Sequence, residues 1–204
     1  MKAAAPPLLL AAPALLLATL LPGTADAAKH GKSPAAFSQP DPQLIALVQK
    51  ATDDKADFQD DYDRQVWLSA MSLRMLDLVP DPQERNQLLS MIHAEATRAD
   101  LSPQLVLALV QVESKFDAYA VSRAGAVGLM QIMPFWLKLI GRPEDSLVHG
   151  QTNLRMGCTI LKYYLQKSHG DIREALQRYN GATVGIDYSD QVLKALSNRW
   201  YLDR

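Results

Sequence analysis

Apolar residues at helical spacing dominate this chain beyond about residue 60. In two early segments, Val66 to Leu76 and Leu88 to Ala96, apolar side chains recur every three or four residues. This period is typical of helices that bury one face. The turn-forming segment Val79–Pro82 separates the two. No alternating run bounded by turn residues is long enough to require a sheet. The sequence therefore predicts a mainly α fold.

A third helix is predicted from its N-terminal signal. Ser102 occupies the N-cap position, and Pro103 follows at the first helical position, where a missing N–H costs nothing. The helix then runs through a nearly continuous apolar segment to Glu113. Later helices are predicted to begin near Thr152, at Asp171 with a capping-box Glu174, and at Ser189.

The N-terminus has the pattern of an export signal. Lys2 precedes an apolar run from Ala3 to Leu21, and small residues follow at Ala25–Ala27. We interpret residues 1–27 as a signal peptide. Prolines interrupt the run, which disfavours a transmembrane span, so an exported protein with no stable membrane anchor is expected. Residues 28–42 are interpreted as a flexible tether and 43–90 as an N-terminal helical extension. Residues 91–204 then form the main domain.

Charge and cysteine content exclude several classes of protein. With 21 Lys+Arg against 22 Asp+Glu, the net charge of −1 supplies no general attraction for nucleic acid. A single cysteine, Cys158, forms no internal disulfide, and its helix-like surroundings favour a small buried hydrophobe over a nucleophile. The four histidines lack metal-ligand spacing. We therefore expect neither a metal nor a cofactor.

Glu113 is the most unusual residue in the chain because it ends an apolar helix. Val106, Leu109 and Val110 lie on its face of that helix. A carboxyl in such surroundings is desolvated, which raises its pKa and suits it to donate a proton near neutral pH. From this helix alone, the alternative that Glu113 marks the emergence of the helix into solvent is equally acceptable.

A loop with two glycines follows the helix. Gly125 and Gly128 lie three residues apart, and such glycines let a ligand approach the main chain closely. A nucleotide-binding loop is disfavoured because no strand precedes it and no Lys-Ser/Thr follows. The loop therefore supports a site beside Glu113.

Three motifs together resemble a known family. They are Glu113-Ser114-Lys115-Phe116-Asp117, the segment Gly125-Ala126-Val127-Gly128-Leu129-Met130-Gln131-Ile132-Met133-Pro134, and Tyr179-Asn180. In order and spacing they are similar to the SLT-type lytic transglycosylases, which are murein-cleaving enzymes. The resemblance implies a goose-type, lysozyme-like helical domain, to which the N-terminal helices add a small extension.

The resemblance also implies roles for individual residues. It makes Glu113 the catalytic acid/base and Ser114 a neighbour that positions or hydrogen-bonds it. The remaining residues that it assigns to substrate binding are Ser122, Met130, Gln131, Tyr179, Asn180 and Tyr188. Asn153 and Gly157 match a pair that we interpret as packing.

Several of these side chains have ordinary alternatives. Met130 is equally acceptable as a core residue. Tyr179 could be an amphipathic aromatic at a helix end. Gln131 is better explained as functional, because a buried amide needs partners that a glycan can supply. Asp117, four residues beyond Glu113, is better explained as a cap or turn residue than as a second carboxylate.

The mechanism that the resemblance implies needs one carboxylate. Glu113 protonates the β-1,4 glycosidic oxygen between N-acetylmuramic acid and N-acetylglucosamine, then accepts the C6 hydroxyl proton as a 1,6-anhydro ring closes. The expected partner is the glycan strands of peptidoglycan. The protein is expected to act in the periplasm as a monomer, and association with a secretion or cell-wall machine is left open. The alternatives are a hydrolytic muramidase and a non-catalytic peptidoglycan-binding component of a wall-spanning machine.

Overall fold

The computed structural model of the chain describes residues 41–53, 61–141, 144–181 and 187–201. The predicted signal peptide and nearly all of the predicted tether lie outside these residues. The helices are α1 (Pro42–Asp53), α2 (Asp61–Arg74), α3 (Pro82–Arg98), α4 (Pro103–Glu113), α5 (Phe135–Ile140), α6 (Gly150–Lys167), α7 (Ile172–Asn180) and α8 (Asp187–Ala195), which continues into a π-helical turn (Leu196–Trp200). Within the described ranges, β pairing is limited to two isolated bridges at Val127. The mainly α prediction is confirmed.

Local sequence explains where these helices begin. Asp81 caps α3 by accepting a hydrogen bond from the N–H of Glu84 at 2.7 Å, and Asp171 caps α7 by accepting one from the N–H of Glu174 at 3.1 Å. Ser102 has the extended backbone of an N-cap, but its hydroxyl bonds Gln104 instead of the helix. The predicted starts are therefore correct to within two residues.

Helix α4 is the centre of the domain. Every residue from Leu105 to Val110 is buried. Helix α3, helix α8 and the π-helical turn pack around it, while α6 packs against α1, α3 and α7. Because α4 is enclosed on several sides, its apolar sequence needs no polar face. This placement carries the last residue of α4 into the interior.

One ion cluster lies inside the helical packing. Glu95 on α3 is fully buried, and its carboxylate accepts hydrogen bonds from Arg98 at 2.6 Å, from Arg155 at 3.2 Å and from Gln151. A buried charge is tolerated only when its partners replace water. These contacts join α3 to α6.

No helix among the described residues is long and apolar enough to cross a membrane.

Candidate active site

Glu113 lies in the interior at the end of α4. Its residue surface is only 9% exposed, and Leu109 and Val110 on the same helix are completely buried. The helix therefore does not emerge into solvent at this residue, which decides between the two alternatives left by the sequence.

Tyr188 contacts the carboxyl directly from α8. Its hydroxyl donates a hydrogen bond to Oε1 of Glu113 at 2.7 Å. Burial, together with the negative charge of Glu113, raises the pKa of Tyr188 well above its ordinary value. The hydroxyl therefore stays protonated and acts as a donor at any physiological pH. It orients the carboxyl through this hydrogen bond.

Tyr179 contacts the glycine-containing loop. Its hydroxyl donates to the carbonyl oxygen of Met130 at 2.8 Å. Burial and, second, the charge of Glu113 raise the pKa of Tyr179 well above its usual range, so this hydroxyl also remains a donor. Tyr179 thus fixes the backbone of the loop beside the acidic residue.

Two predicted site residues hold that loop through backbone carbonyls. The Ser114 hydroxyl lies 2.8 Å from the carbonyl oxygen of Leu129 and 3.2 Å from that of Val110. The Gln131 amide nitrogen donates to the carbonyls of Ala120 and Gly128 at 3.1 and 3.0 Å. The protein itself therefore supplies partners that the sequence analysis assigned to a glycan. Both side chains shape the wall of the site.

Ser122 closes the turn at the start of the loop. Its hydroxyl accepts a hydrogen bond from the N–H of Ala126 at 3.0 Å, and its carbonyl accepts one from the N–H of Gly125 at 2.9 Å.

Three residues of the loop have left-handed backbone conformations. The backbone φ angles are +83° at Gly125, +80° at Gly128 and +50° at Gln131. Such left-handed conformations are costly for residues other than glycine, so the hydrogen bonds must hold Gln131 in place.

Asn153 on α6 anchors the same loop, and sequence analysis assigned it only to packing. Its Oδ1 accepts from the N–H of Met130 at 2.8 Å, and its Nδ2 donates to the carbonyls of Val127 and Leu147, each at 2.8 Å. The side chain is fully buried. A fully buried amide side chain must find hydrogen-bond partners, so its burial indicates that it holds other groups in place. The sequence alone does not show that Asn153 is buried.

The Met130 side chain lies in the core. It is fully buried, with its sulfur 3.9 Å from the thiol sulfur of Cys158. A Cβ at Gly157 would approach that sulfur to 2.4 Å, so the small residue at this position makes room for Met130. Burial also raises the pKa of Cys158, which suits the predicted buried hydrophobe. Met130 therefore contributes its backbone to the site, and its side chain anchors the loop.

Asn180 follows Tyr179 and Asp117 lies four residues after Glu113, but their side chains differ in exposure and hydrogen bonding. Asn180 ends α7 beside Tyr179, and its Oδ1 is shielded from solvent without a hydrogen-bond partner among the described residues. Asp117 is exposed, and its carboxylate accepts from the N–H of Tyr119 at 2.8 Å. Asp117 is thus a turn residue.

We expect Tyr188→Phe to lower kcat by about ten- to a hundredfold. A hydrogen bond to a charged group contributes about 1.5–3 kcal/mol, and each 1.4 kcal/mol corresponds to tenfold in rate. The control is Tyr201→Phe, which removes the hydroxyl of an exposed tyrosine. Equal activity of the two variants would contradict a role for the Tyr188 hydroxyl.

A mainly helical domain with an acidic residue buried at the end of its central helix agrees with the lysozyme-like fold that the sequence resemblance implies. The family comparison makes the class specific. The chain belongs to the transglycosylase SLT domain family, whose model matches residues 90–192, just over half of the chain. The match begins within α3 and ends within α8.

Curated relatives give a similar result. The chain is 32% identical over 137 residues to the membrane-bound lytic murein transglycosylase C of Yersinia pestis (strain Pestoides F). It is equally similar to the protein of the same name from Yersinia pseudotuberculosis serotype O:1b (strain IP 31758). The alignment covers 58% of this chain and 38% of each relative. The chain therefore spans well under half the length of these relatives.

Proposed function

We propose that the protein is a murein lytic transglycosylase. It cleaves the β-1,4 bond between N-acetylmuramic acid and N-acetylglucosamine in peptidoglycan and leaves 1,6-anhydromuramic ends. The observation that carries this proposal is the Glu113 carboxyl, buried at the end of α4 and held by the Tyr188 hydroxyl at 2.7 Å. Membership of the SLT domain family and the names of the relatives support murein as the substrate.

The first step needs Glu113 as an acid. Its proton passes to the glycosidic oxygen while the bond from that oxygen to C1 of N-acetylmuramic acid breaks. The N-acetyl group of the substrate stabilises the positive charge that develops at C1. Tyr188 then stabilises the new carboxylate, because its hydroxyl already donates to Oε1.

The second step uses the same group as a base. The C6 hydroxyl oxygen attacks C1 to close the anhydro ring, and its proton passes to the Glu113 carboxylate. The acid is thereby regenerated, and no water is consumed. Two-carboxylate hydrolysis is less well supported, because the nearby Asp117 is exposed and accepts a hydrogen bond from a backbone N–H in a turn.

The loop supplies a shaped wall for the glycan. Tyr179, Asn153 and Gln131 hold its backbone from three sides. The shielded Oδ1 of Asn180 completes the set of polar groups at this end of α7, and a small shift of the side chain would let it accept a sugar hydroxyl or amide. We therefore assign these residues to orientation of the substrate and keep Glu113 as the catalytic residue.

The proposed location is the periplasm. The signal-like N-terminus supports export, and the substrate proposed here is a wall polymer. In this proposal the protein acts as a monomer on glycan strands, with a secretion or cell-wall machine as a further candidate partner.

The product test separates this function from hydrolysis. Purified sacculi are digested by the full chain in ¹⁸O-labelled water, and the muropeptides are analysed by mass spectrometry. We expect 1,6-anhydromuramic ends without incorporated ¹⁸O. Reducing ends that carry ¹⁸O would identify a muramidase, and binding to sacculi without release of fragments would identify a non-catalytic protein.

A further inference from the structure

An ion pair joins the N-terminal extension to the π-helical turn that follows α8. Arg199 in the π-helical turn donates from Nη1 to Oδ1 of Asp77 at 2.5 Å and from Nη2 to Oδ2 at 2.8 Å. Asp77 lies in the turn after α2. This bidentate geometry fixes the relative orientation of the two groups better than a single contact does.

Backbone contacts reinforce this pair. Arg74 donates to the carbonyl oxygen of Arg199 at 2.6 Å, and Arg199 donates to the carbonyl oxygen of Arg74 at 2.7 Å. Arg85 on α3 braces the same turn by donating to the carbonyls of Val79 and Pro80 at 2.7 and 2.9 Å. Hydrogen bonds therefore hold the backbone on both sides of Asp77.

These contacts lie outside the region that matches the family model, which spans residues 90–192. Asp77 and Arg74 precede that region, whereas Arg199 and Trp200 follow it. The extension and the C-terminal turn are thus held to each other, and they flank the matched domain.

Trp200 connects this pair to the active-site helix. The residue is fully buried, and its Nε1 donates to Oε1 of Gln111 at 2.7 Å. Its ring packs edge-on against Phe116, with ring centroids 5.9 Å apart. Gln111 and Phe116 lie two residues before and three residues after Glu113. The π-helical turn also continues directly from α8, the helix that carries Tyr188.

We infer that Asp77 and Arg199 are positioning residues for Glu113. The inference rests on the proposed function, because it concerns the geometry of proton transfer at that carboxyl. The ion pair holds the π-helical turn, the turn holds Trp200 on Gln111, and α8 holds Tyr188 on Glu113. The N-terminal extension thereby sets the angle between α4 and α8 at the carboxyl.

This role predicts a larger effect on catalysis than on stability. An exposed ion pair contributes little to folding stability, and Asp77 lies largely in solvent. A displacement of about 1 Å at reacting groups can cost about a hundredfold in rate. Loss of the pair should leave the fold intact and misalign the site.

The test uses Asp77→Asn in the full chain, with soluble glycan strands as substrate. We expect kcat to fall about tenfold, with KM and the urea midpoint nearly unchanged and with partial recovery in Asp77→Glu. Asp77→Ala should lower kcat about as far as Asp77→Asn, and Arg199→Ala at least as far, because Arg199 also donates to the carbonyl oxygen of Arg74. The control is Lys162→Gln, which removes an exposed ion pair with Asp100 elsewhere. An unchanged kcat in Asp77→Asn, or an equal loss in the control, would overturn the inference.

A second measurement does not depend on activity. Hydrogen exchange of the Trp200 indole N–H, assigned by its absence in Trp200→Phe, should be about two- to fivefold faster in Asp77→Asn than in the wild-type chain. Unchanged exchange would overturn the inference even if kcat falls. If the wild-type chain forms no anhydro product, the proposed function fails, whereas this exchange rate still decides whether Asp77 holds the turn.

Discussion

Glu113→Gln is expected to reduce release of anhydromuropeptides by at least about a thousandfold. General acid or base catalysis contributes about a hundred- to ten-thousandfold, and Glu113 serves in both roles. Glutamine keeps the shape of the side chain and can still accept the Tyr188 hydrogen bond, so the fold should be retained. It cannot donate or accept the proton that the reaction transfers. The measurement is initial rate on sacculi, quantified by mass spectrometry.

The matched control for this variant is Asp117→Asn. Asparagine keeps the oxygen that accepts from the N–H of Tyr119, so the turn should survive and activity should stay within about twofold of wild type. A comparable loss in Asp117→Asn would point to a second catalytic carboxylate and favour hydrolysis. Full activity in Glu113→Gln would remove Glu113 from the role proposed for it.

Gly128→Ala should destabilise the protein by more than about 3 kcal/mol. The φ angle of +80° costs alanine about 1 kcal/mol or more. The added Cβ would also lie 2.4 Å from both Asn153 Nδ2 and the carbonyl oxygen of Leu147. Asn153 cannot retreat without breaking its hydrogen bonds to the loop, so the strain should spread into the site. The measurement is the free energy of unfolding from urea denaturation.

Gly125→Ala provides a matched comparison in the same loop. Its φ angle is +83°, nearly the same as that of Gly128, but an added Cβ meets nothing within 4 Å. This variant should therefore show only the backbone cost of about 1 kcal/mol. Similar destabilisation by the two substitutions would mean that the space around Gly128 does not matter and that the loop relaxes freely.

The features that were predicted from the sequence depend on residues close together in the chain. The cap at Asp171 and the Pro103 start are signalled within a few residues, so these two helix boundaries follow closely. Glu113 stands out because its neighbours on one helix are apolar, and the nearby loop with two glycines favours a site there. Each of these helix signals depends on residues less than two turns apart.

Long-range contacts were harder to predict. The Tyr188 hydroxyl meets Glu113 across 75 residues, and the family resemblance pointed to Tyr188 without giving its partner. The sequence predicted that the Gln131 amide needs hydrogen-bond partners of the kind a glycan can supply, but it did not show that its nitrogen donates to the carbonyls of Ala120 and Gly128. The pairing of buried Glu95 with Arg155, 60 residues away, had no sequence signal because most glutamates are exposed.

The contact between Met130 and Cys158 has a consequence for oxidation chemistry. Methionine sulfoxide is polar and larger than the thioether, and it would push the loop away from α6. A thiol that oxidises to a sulfenic acid would do the same from the other side. Both sulfurs are fully buried, and burial keeps the Cys158 thiol from ionising to the reactive thiolate. Burial therefore protects both sulfurs, and with them the seat of the loop on α6, from peroxide.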